Sequence, residues 1–354
     1  MVSMSNLRLK GETYLSIGAQ DRNPYRARSS SNPTLHSTVV YCGYFRSTRR
    51  QRIHAIAERN VRIYNIERRA RTAVLFRITS PRCFHEWKSS TTTSPISAPS
   101  EAIMIYAMSD IHGCLEAFNE ALKTVDLSDG DSKLILLGDY CDRGPDSLGV
   151  FRKIMALQQS YPEQVVALRG NHEEMLLEYC DMLSDPDFVR GWILADTELA
   201  TAKSFLDADA FKKVLHMLKL KHFEDAYRFT VTHMKTEHAD VLSWIRALPY
   251  YYETPTQVFV HAGIDEEAGD LWRVGTPEEF FTTMMPDYLG QHFDLDVIAG
   301  HITTESVSGI PGYQGIYHDD SSHYYIDGCA VKNGRVLVLR YNERTGKYSG
   351  PGLE

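Results

Sequence analysis

The six cysteines (Cys42, Cys83, Cys114, Cys141, Cys180, Cys329) include no CxxC pair and show no regular spacing. That argues against a disulfide framework and against a thiolate zinc site, and it makes a reducing compartment the default expectation. Nor is there an apolar run approaching the roughly 18 residues that a membrane span needs, so no membrane association is expected. Acidic residues are scarce in the first hundred positions, with five Asp and Glu against seventeen Lys and Arg, a net of +12. The remainder holds 41 acidic and 21 basic residues, so the overall charge of -8 hides two unlike halves. With 43% hydrophobic and 24% charged residues, the composition is that of an ordinary soluble globular protein.

Residues 1–100 lack sustained helical or strand periodicity and close in a Ser/Thr/Pro tract from Ser89 to Ser100. Three readings stand side by side. An Arg- and Ser-rich, acid-poor transit segment matches the composition, without a visible amphipathic helix. A basic arm for nucleic acid matches the charge, with little aromatic interleaving. On the third reading the stretch lies outside the natural product, and Met104, which opens a clean strand, is the start. In each case residues 1–102 are expected to be a disordered basic extension. The expected compartment is the cytoplasm, or an organelle if the transit reading holds.

What is present begins at residue 103. Ile103 to Met108 reads as a strand ending in Ser109-Asp110-Ile111-His112-Gly113. Leu115 to Val125 carries a helical pattern. The apolar run Leu134-Ile135-Leu136-Leu137 leads into Gly138-Asp139-Tyr140-Cys141-Asp142-Arg143-Gly144. Ser147 to Tyr161 follows as an amphipathic helix, with Ser147 the expected cap. The strand Val165 to Leu168 then runs into Arg169-Gly170-Asn171-His172-Glu173. Any one of these polar clusters has a bland reading as a surface turn. Three at strand ends, 29 and 32 residues apart, indicate successive βα units of an α/β fold. In such sheets ligands sit beyond the strand ends.

Farther on, Val258-Phe259-Val260 leads into His261-Ala262-Gly263, and Val297-Ile298-Ala299-Gly300 into His301. A lone histidine after a strand is more often structural. Two of them complete a ligand count that is otherwise short. His318 and His323 lie near a strand and stay ambiguous.

In order, SDIHG, GDYCDRG, RGNHE, HAG and GH resemble the motif series of the phosphoprotein phosphatase branch of the calcineurin-like metallophosphoesterases. Ser109 stands where that family has Gly, and the resemblance covers residues 103–341. The stretch Tyr325 to Ala330 and the apolar run Val336 to Leu339 resemble the end of compact bacterial-type members. The implied fold is a four-layer αββα sandwich of two mixed β-sheets flanked by helices, over residues 103–345, with a tail at 346–354.

The resemblance also implies a dinuclear metal centre. One ion would take Asp110, His112 and Asp139, and the other Asp139, Asn171, His261 and His301, with Asp139 shared. Oxygen and imidazole donors without thiolate suit two divalent ions, Mn first, with Fe or Zn as alternatives. Such a pair activates a water for in-line attack on phosphorus. His172 would be the general acid and Asp142 its orienting carboxylate. Arg143, Asn171 and Arg273 would bind phosphate oxygens, although the Trp272-Arg273 pair reads equally as surface packing. Glu173 would support the ligands from behind. Cys141 occupies a variable motif position as a small filler, with peroxide sensitivity as the competing idea.

Residues 175–254 carry no ligand motif. Helical patterns at Phe211 to Phe223 and Ala239 to Leu248, then Tyr250-Tyr251-Tyr252, mark either a helical insertion with its own small core or a cap over the substrate groove. The implied activity is metal-dependent hydrolysis of phosphoric esters, as a serine/threonine protein phosphatase acting on phosphoproteins or small phosphoesters. A symmetrical bis(5'-nucleosyl)-tetraphosphatase is the alternative. A binding protein with a dead site would need a missing ligand or acid, and none is missing. Nucleic acid enters only through the basic residues 1–100.

Overall fold

The computed structural model describes residues 103–181 and 199–353. The readings of residues 1–102, including Cys42 and Cys83, lie outside these.

Ten strands follow in chain order: β1 (Met104–Met108), β2 (Lys133–Leu136), β3 (Val165–Ala167), β4 (Tyr251–Glu253), β5 (Gln257–Val260), β6 (Asp296–Thr303), β7 (Tyr317–His318), β8 (His323–Asp327), β9 (Leu339–Asn342) and β10 (Lys347–Ser349). They form two five-stranded sheets, ordered β10-β9-β1-β2-β3 and β4-β5-β6-β8-β7. Both are mixed: β1, β2 and β3 are parallel, as are β5, β6 and β8, while the flanking strands are antiparallel.

The period-two alternation of strand side chains accounts for the layering. From β1, β2 and the residue just after β2, Ile105, Ala107, Ile135 and Leu137 meet Phe259, Ile298 and Ile326 of the second sheet in a shared core. The alternate residues, Tyr106, Met108, Leu134 and Leu136, pack outward with Phe118, Phe151, Ile154 and Leu176 of helices. On the far face of the second sheet, Val258, Val260, Val297 and Tyr325 pack with Trp272 and Phe281. The result is the α/β four-layer sandwich with helices outside.

Several boundaries differ from the sequence reading. The cap of the helix Ser147–Ser160 is Asp146, whose carboxylate accepts the Gly149 N–H, and not Ser147. The apolar run Val336 to Leu339 enters its ladder only at Leu339, so β9 lies three residues later than expected. The expected tail begins instead with β10, which pairs with β9 and extends the first sheet past residue 345. The pattern Phe211 to Phe223 divides between two helices, Ala208–Lys219 and Phe223–Glu237, because the chain turns at Leu220–His222 with Lys221 at φ +63°. Tyr251 and Tyr252 leave the helical insertion and form β4.

The insertion has a small core of its own around Leu206, Val214 and Ala226. It also joins the main core through Phe205, Tyr227, Val231 and Ile245.

Candidate metal centre and acid site

The carboxyl ends of the parallel strands of both sheets converge. The loop after β1 carries Asp110 and His112, that after β2 carries Asp139, Asp142 and Arg143, and the helix Asn171–Asp181 that follows β3 opens on Asn171 and His172. From the second sheet come His261, directly after β5, and His301, within β6 where its pairing to β8 shifts register. Backbone hydrogen bonds zip the loops together: the Asp110, His112 and Gly113 N–H groups donate to the carbonyls of Gly138, Asp139 and Tyr140. The two sheets are tied by the His301 N–H, which donates to Asp110 Oδ2 at 3.0 Å.

This closeness is costly in backbone conformation. Asp110, His112, Asp139, Asp142, Arg143 and His301 all have φ between +46° and +68°, a region that non-glycine residues seldom occupy and that recurs at functional sites. Gly138 takes φ +108°, and a Cβ there would come within 2.5 Å of the Gly170 nitrogen. Only glycine permits the loops after β2 and β3 to touch.

Two groups of donor atoms lie within 4.8 Å of one another: His112, Asp139 and His172, and Asp139, His261 and His301. Asp139 belongs to both. Asp110 lies beside the first group, with Oδ1 3.8 Å from His112 Nε2.

The hydrogen bonds orient ring lone pairs inward. His112 Nδ1 donates to the Cys141 carbonyl at 2.8 Å, and His261 Nδ1 to that of Leu137 at 3.0 Å, so each Nε2 faces the cluster. Such carbonyl anchors are the usual support of metal-binding imidazoles. His261 Nε2 then lies 3.0 Å from Asn171 Oδ1 and 3.3 Å from Asp139 Oδ1. His301 Nδ1 is 3.1 Å from the same Asn171 oxygen. Turning the amide over aims its NH₂ at these groups instead, at 3.0–3.3 Å. With the amide oxygen inward, lone pairs converge on one point and need a positive partner; with the NH₂ inward, the amide hydrogens occupy that point.

Asp110 Oδ1 is buried without any hydrogen bond. That orphaned oxygen and the facing lone pairs fit divalent cations held by O and N donors.

Proton affinities tell the same story. Burial, against the pull of Asp139, drives His112 down to about 3. Burial and the neighbouring His261 take His301 down to about 4, so both rings are neutral and ready to ligate. Burial lowers His261 as well, but Asp139 and Asp110 outweigh it and raise the imidazole to about 9. A proton is held there where a cation is wanted. Burial opposes ionisation of Asp139, yet its three histidine neighbours keep it well below the usual range.

Beside the cluster, His172 Nδ1 meets Asp142 Oδ2 at 2.7 Å, with both residues buried. Burial lowers His172, but Asp139 and Asp142 outweigh it and hold it above its ordinary value. The exposed Arg143 sits across the opening, with Nη1 2.8 Å from His112 Nε2 and Nη2 3.1 Å from His172 Nε2. Glu173 lies behind, fully buried, and accepts the N–H groups of Asp139, Tyr140 and Gly170 at 2.8–2.9 Å.

Arg273 is not brought into this assembly. It pairs with Glu253 and lies over the Trp272 ring, and its electrostatic neighbours are Glu253, Tyr251 and Asp270. Surface packing is thus what the Trp-Arg pair does, because the turn from Glu266 to Gly275 lays the guanidinium along the edge strand β4. Cys141 is buried, and burial together with Asp142 pushes its thiol well above the ordinary value, which disfavours the reactive thiolate. His323 is engaged elsewhere, its ring nitrogens 2.6 Å from Asp319 and 2.8 Å from Glu266. His318 stacks on Tyr324 with centroids 4.2 Å apart.

Sequence reasoning passed over Asp327 and Thr201. Asp327 ends β8 and is buried near Asp110 and Asp139; burial and Asp110 hold it well above the carboxylate range. A carboxylate at the end of an apolar strand, the sign that marked Asp110 and Asp139, was there to be read. Thr201 carries no such sign.

A model of the calcineurin-like phosphoesterase family matches residues 103–310. This chain belongs to that family. Among curated calcineurin-like and related proteins, it is 35% identical over 129 residues to the symmetrical bis(5'-nucleosyl)-tetraphosphatase of Nitrosospira multiformis, covering 35% of this chain and 41% of that protein. It is 36% identical over 74 residues to serine/threonine-protein phosphatase 1 of Salmonella typhimurium, covering 21% of this chain and 32% of that protein. The chain thus spans less than half the length of these relatives. A cold-active protein-tyrosine phosphatase of a psychrophilic Shewanella species aligns in structure at 16% identity and a TM-score of 0.40, over 72% of this chain and 82% of that one. No helix among the described residues is long and apolar enough to cross a membrane.

Proposed function

We propose that this calcineurin-like phosphoesterase is a metal-dependent hydrolase of phosphoric monoesters, acting as a serine/threonine protein phosphatase. The observation that carries the reading is the His172–Asp142 pair at 2.7 Å, with His172 on the margin of the first of two candidate donor groups that share Asp139. Asp110, His112 and Asp139 would hold one ion, and Asp139, Asn171, His261 and His301 the other. Mn fits this set of O and N donors, as do Fe and Zn. Two bound cations supply an activated water and a clamp for the phosphoryl group.

The protein's own groups do the rest. Asp142 keeps the Nδ1 proton of His172 and stabilises the imidazolium, so that Nε2 delivers a proton to the departing oxygen. Arg143 turns its donors from the two imidazoles to the non-bridging phosphoryl oxygens, where charge-assisted bonds are strongest. A seryl alkoxide is a poor leaving group that needs this proton. A nucleotide phosphate departs from a phosphoanhydride more readily, so the proton matters most for the monoester, although the same acid pair would serve either substrate.

The second reading, a symmetrical dinucleoside tetraphosphatase, is favoured by the match to the Nitrosospira protein. The full chain, stripped by chelation and reloaded with Mn²⁺, should be given a phosphoserine peptide and diadenosine tetraphosphate in parallel. Faster turnover of the peptide is expected. Preference for the dinucleotide would move the function to nucleotide turnover, and inactivity on both with metal bound would end both assignments.

A further inference from the structure

Asp142 is itself held, and what holds it comes from the helical insertion. Thr201, on the helix Ala200–Phe205, donates its hydroxyl to Asp142 Oδ1 at 2.5 Å. Thr201 Oγ1 in turn accepts the Asp142 N–H at 3.0 Å. Ser147, at the first turn of the helix Ser147–Ser160, lies 3.1 Å from Thr201 Oγ1 and also accepts the Asp142 N–H at 3.1 Å. Ser147 and Thr201 are 0% exposed and Asp142 is 5% exposed, so no water competes for these bonds.

The two carboxylate oxygens of Asp142 therefore have separate duties. Oδ2 meets His172, and Oδ1 is pinned by Thr201. Fixing Oδ1 fixes the rotation of the carboxylate, and with it the direction in which Oδ2 points. The need is acute because Asp142 sits at φ +66°, where its backbone does not hold itself. Hydrogen bonds to an ionised group in a buried setting are among the strong ones.

We infer that Thr201 is a positioning residue for the general acid: through Asp142 it aims the His172 imidazole at the leaving oxygen, so that the insertion supplies part of the acid machinery. The inference rests on the acid role given to His172 above. It assigns the helix Ala200–Phe205 of the insertion a place behind the acid pair.

The test uses the full chain with Mn²⁺ and two substrates, a phosphoserine peptide with its poor leaving group and 4-nitrophenyl phosphate with its good one. Thr201→Val keeps the shape and deletes the hydroxyl; Thr201→Ala serves if the valine variant does not fold; Thr201→Ser restores the hydroxyl. His172→Asn is measured alongside, with thermal unfolding and metal content recorded for each protein. For Thr201→Val or Thr201→Ala, kcat on the peptide should fall about 10- to 100-fold, the range for losing one charge-assisted hydrogen bond. KM and metal content should hold, the nitrophenyl ester should lose much less, and Thr201→Ser should recover most of the rate. A selective loss in His172→Asn with none in the Thr201 variants would overturn this inference alone. Equal losses on both esters in His172→Asn would overturn the acid role and the inference with it. A Thr201→Ser rate as low as that of Thr201→Val would show a packing effect and likewise overturn it.

Discussion

Replacing Glu173 with glutamine changes one atom, and its effect follows from three distances. In the native site Oε2 accepts the N–H groups of Asp139 at 2.8 Å and Gly170 at 2.9 Å, while Oε1 accepts that of Tyr140 at 2.8 Å. A carboxylate accepts on both oxygens; an amide accepts on one and donates from the other. With its oxygen in the place of Oε2, the glutamine keeps two bonds and turns its NH₂ against the Tyr140 N–H. The opposite orientation loses two. Even the milder case leaves a buried N–H facing another donor, a cost of about 1–3 kcal/mol. For a folded unit of this size each kcal/mol is about 2–4 °C in Tm, so unfolding in EDTA should fall by about 2–12 °C. The loosened turn carries Asp139, the carboxylate common to both donor groups. Mn²⁺ affinity by calorimetry should therefore drop about 10- to 100-fold, as for other groups that orient ligands. A Tm and an Mn²⁺ titration both matching the native protein would refute this account of Glu173.

Further outcomes follow from the same geometry. Saturating the native protein with Mn²⁺ at about 100 times its Kd should add about 2.7 kcal/mol of stability, and Asp139→Asn should lose that increment while still folding; an undiminished metal-induced shift in Tm would remove Asp139 from the centre. Burial lowers His323, but Glu266 and Asp319 outweigh it and raise it above 6.5. Because the folded value is the higher one, the stability His323 contributes is complete below about pH 6.5 and is lost as pH rises through the folded value. The gap between native protein and His323→Gln in urea unfolding should therefore be wider at pH 6 than at pH 9, and an equal gap at both would contradict the ion-paired arrangement. Cys141→Ser should leave peroxide sensitivity unchanged, since the thiol is buried and far from ionised at neutral pH; protection by the substitution would show otherwise.

The parts of the molecule that could be read from the sequence were those written locally. Apolar runs of four or five residues closing on Asp110, Asp139 and Asn171 announce strand, turn and polar cluster together, and strands in parallel order bring such clusters to one edge. Arg273 misled because an arginine's reach depends on where its turn lies, and the turn lays it on Glu253 and Trp272. Thr201 was invisible because its partner is 59 residues away and its hydroxyl belongs to an unremarkable helix. The helix start at Asp146 was missed for a smaller reason: Ser147 has the chemistry of a cap, but its hydroxyl is already engaged with Asp142 and Thr201. The strand β10 hides behind polar residues because it lies at the sheet edge, where burial does not select side chains.

The bond from the His301 N–H to Asp110 Oδ2 spans 191 positions of the chain. A nascent polypeptide that has delivered β1 to β3 offers Asp110, His112, Asp139 and Asn171, yet has neither of the imidazoles that follow β5 and lie within β6. A second ion held by Asp139, Asn171, His261 and His301 would then have to wait for the last third of the protein to be synthesised and to pair. Filling of the second donor group would accordingly be a late event of biosynthesis, and would report that both sheets have met.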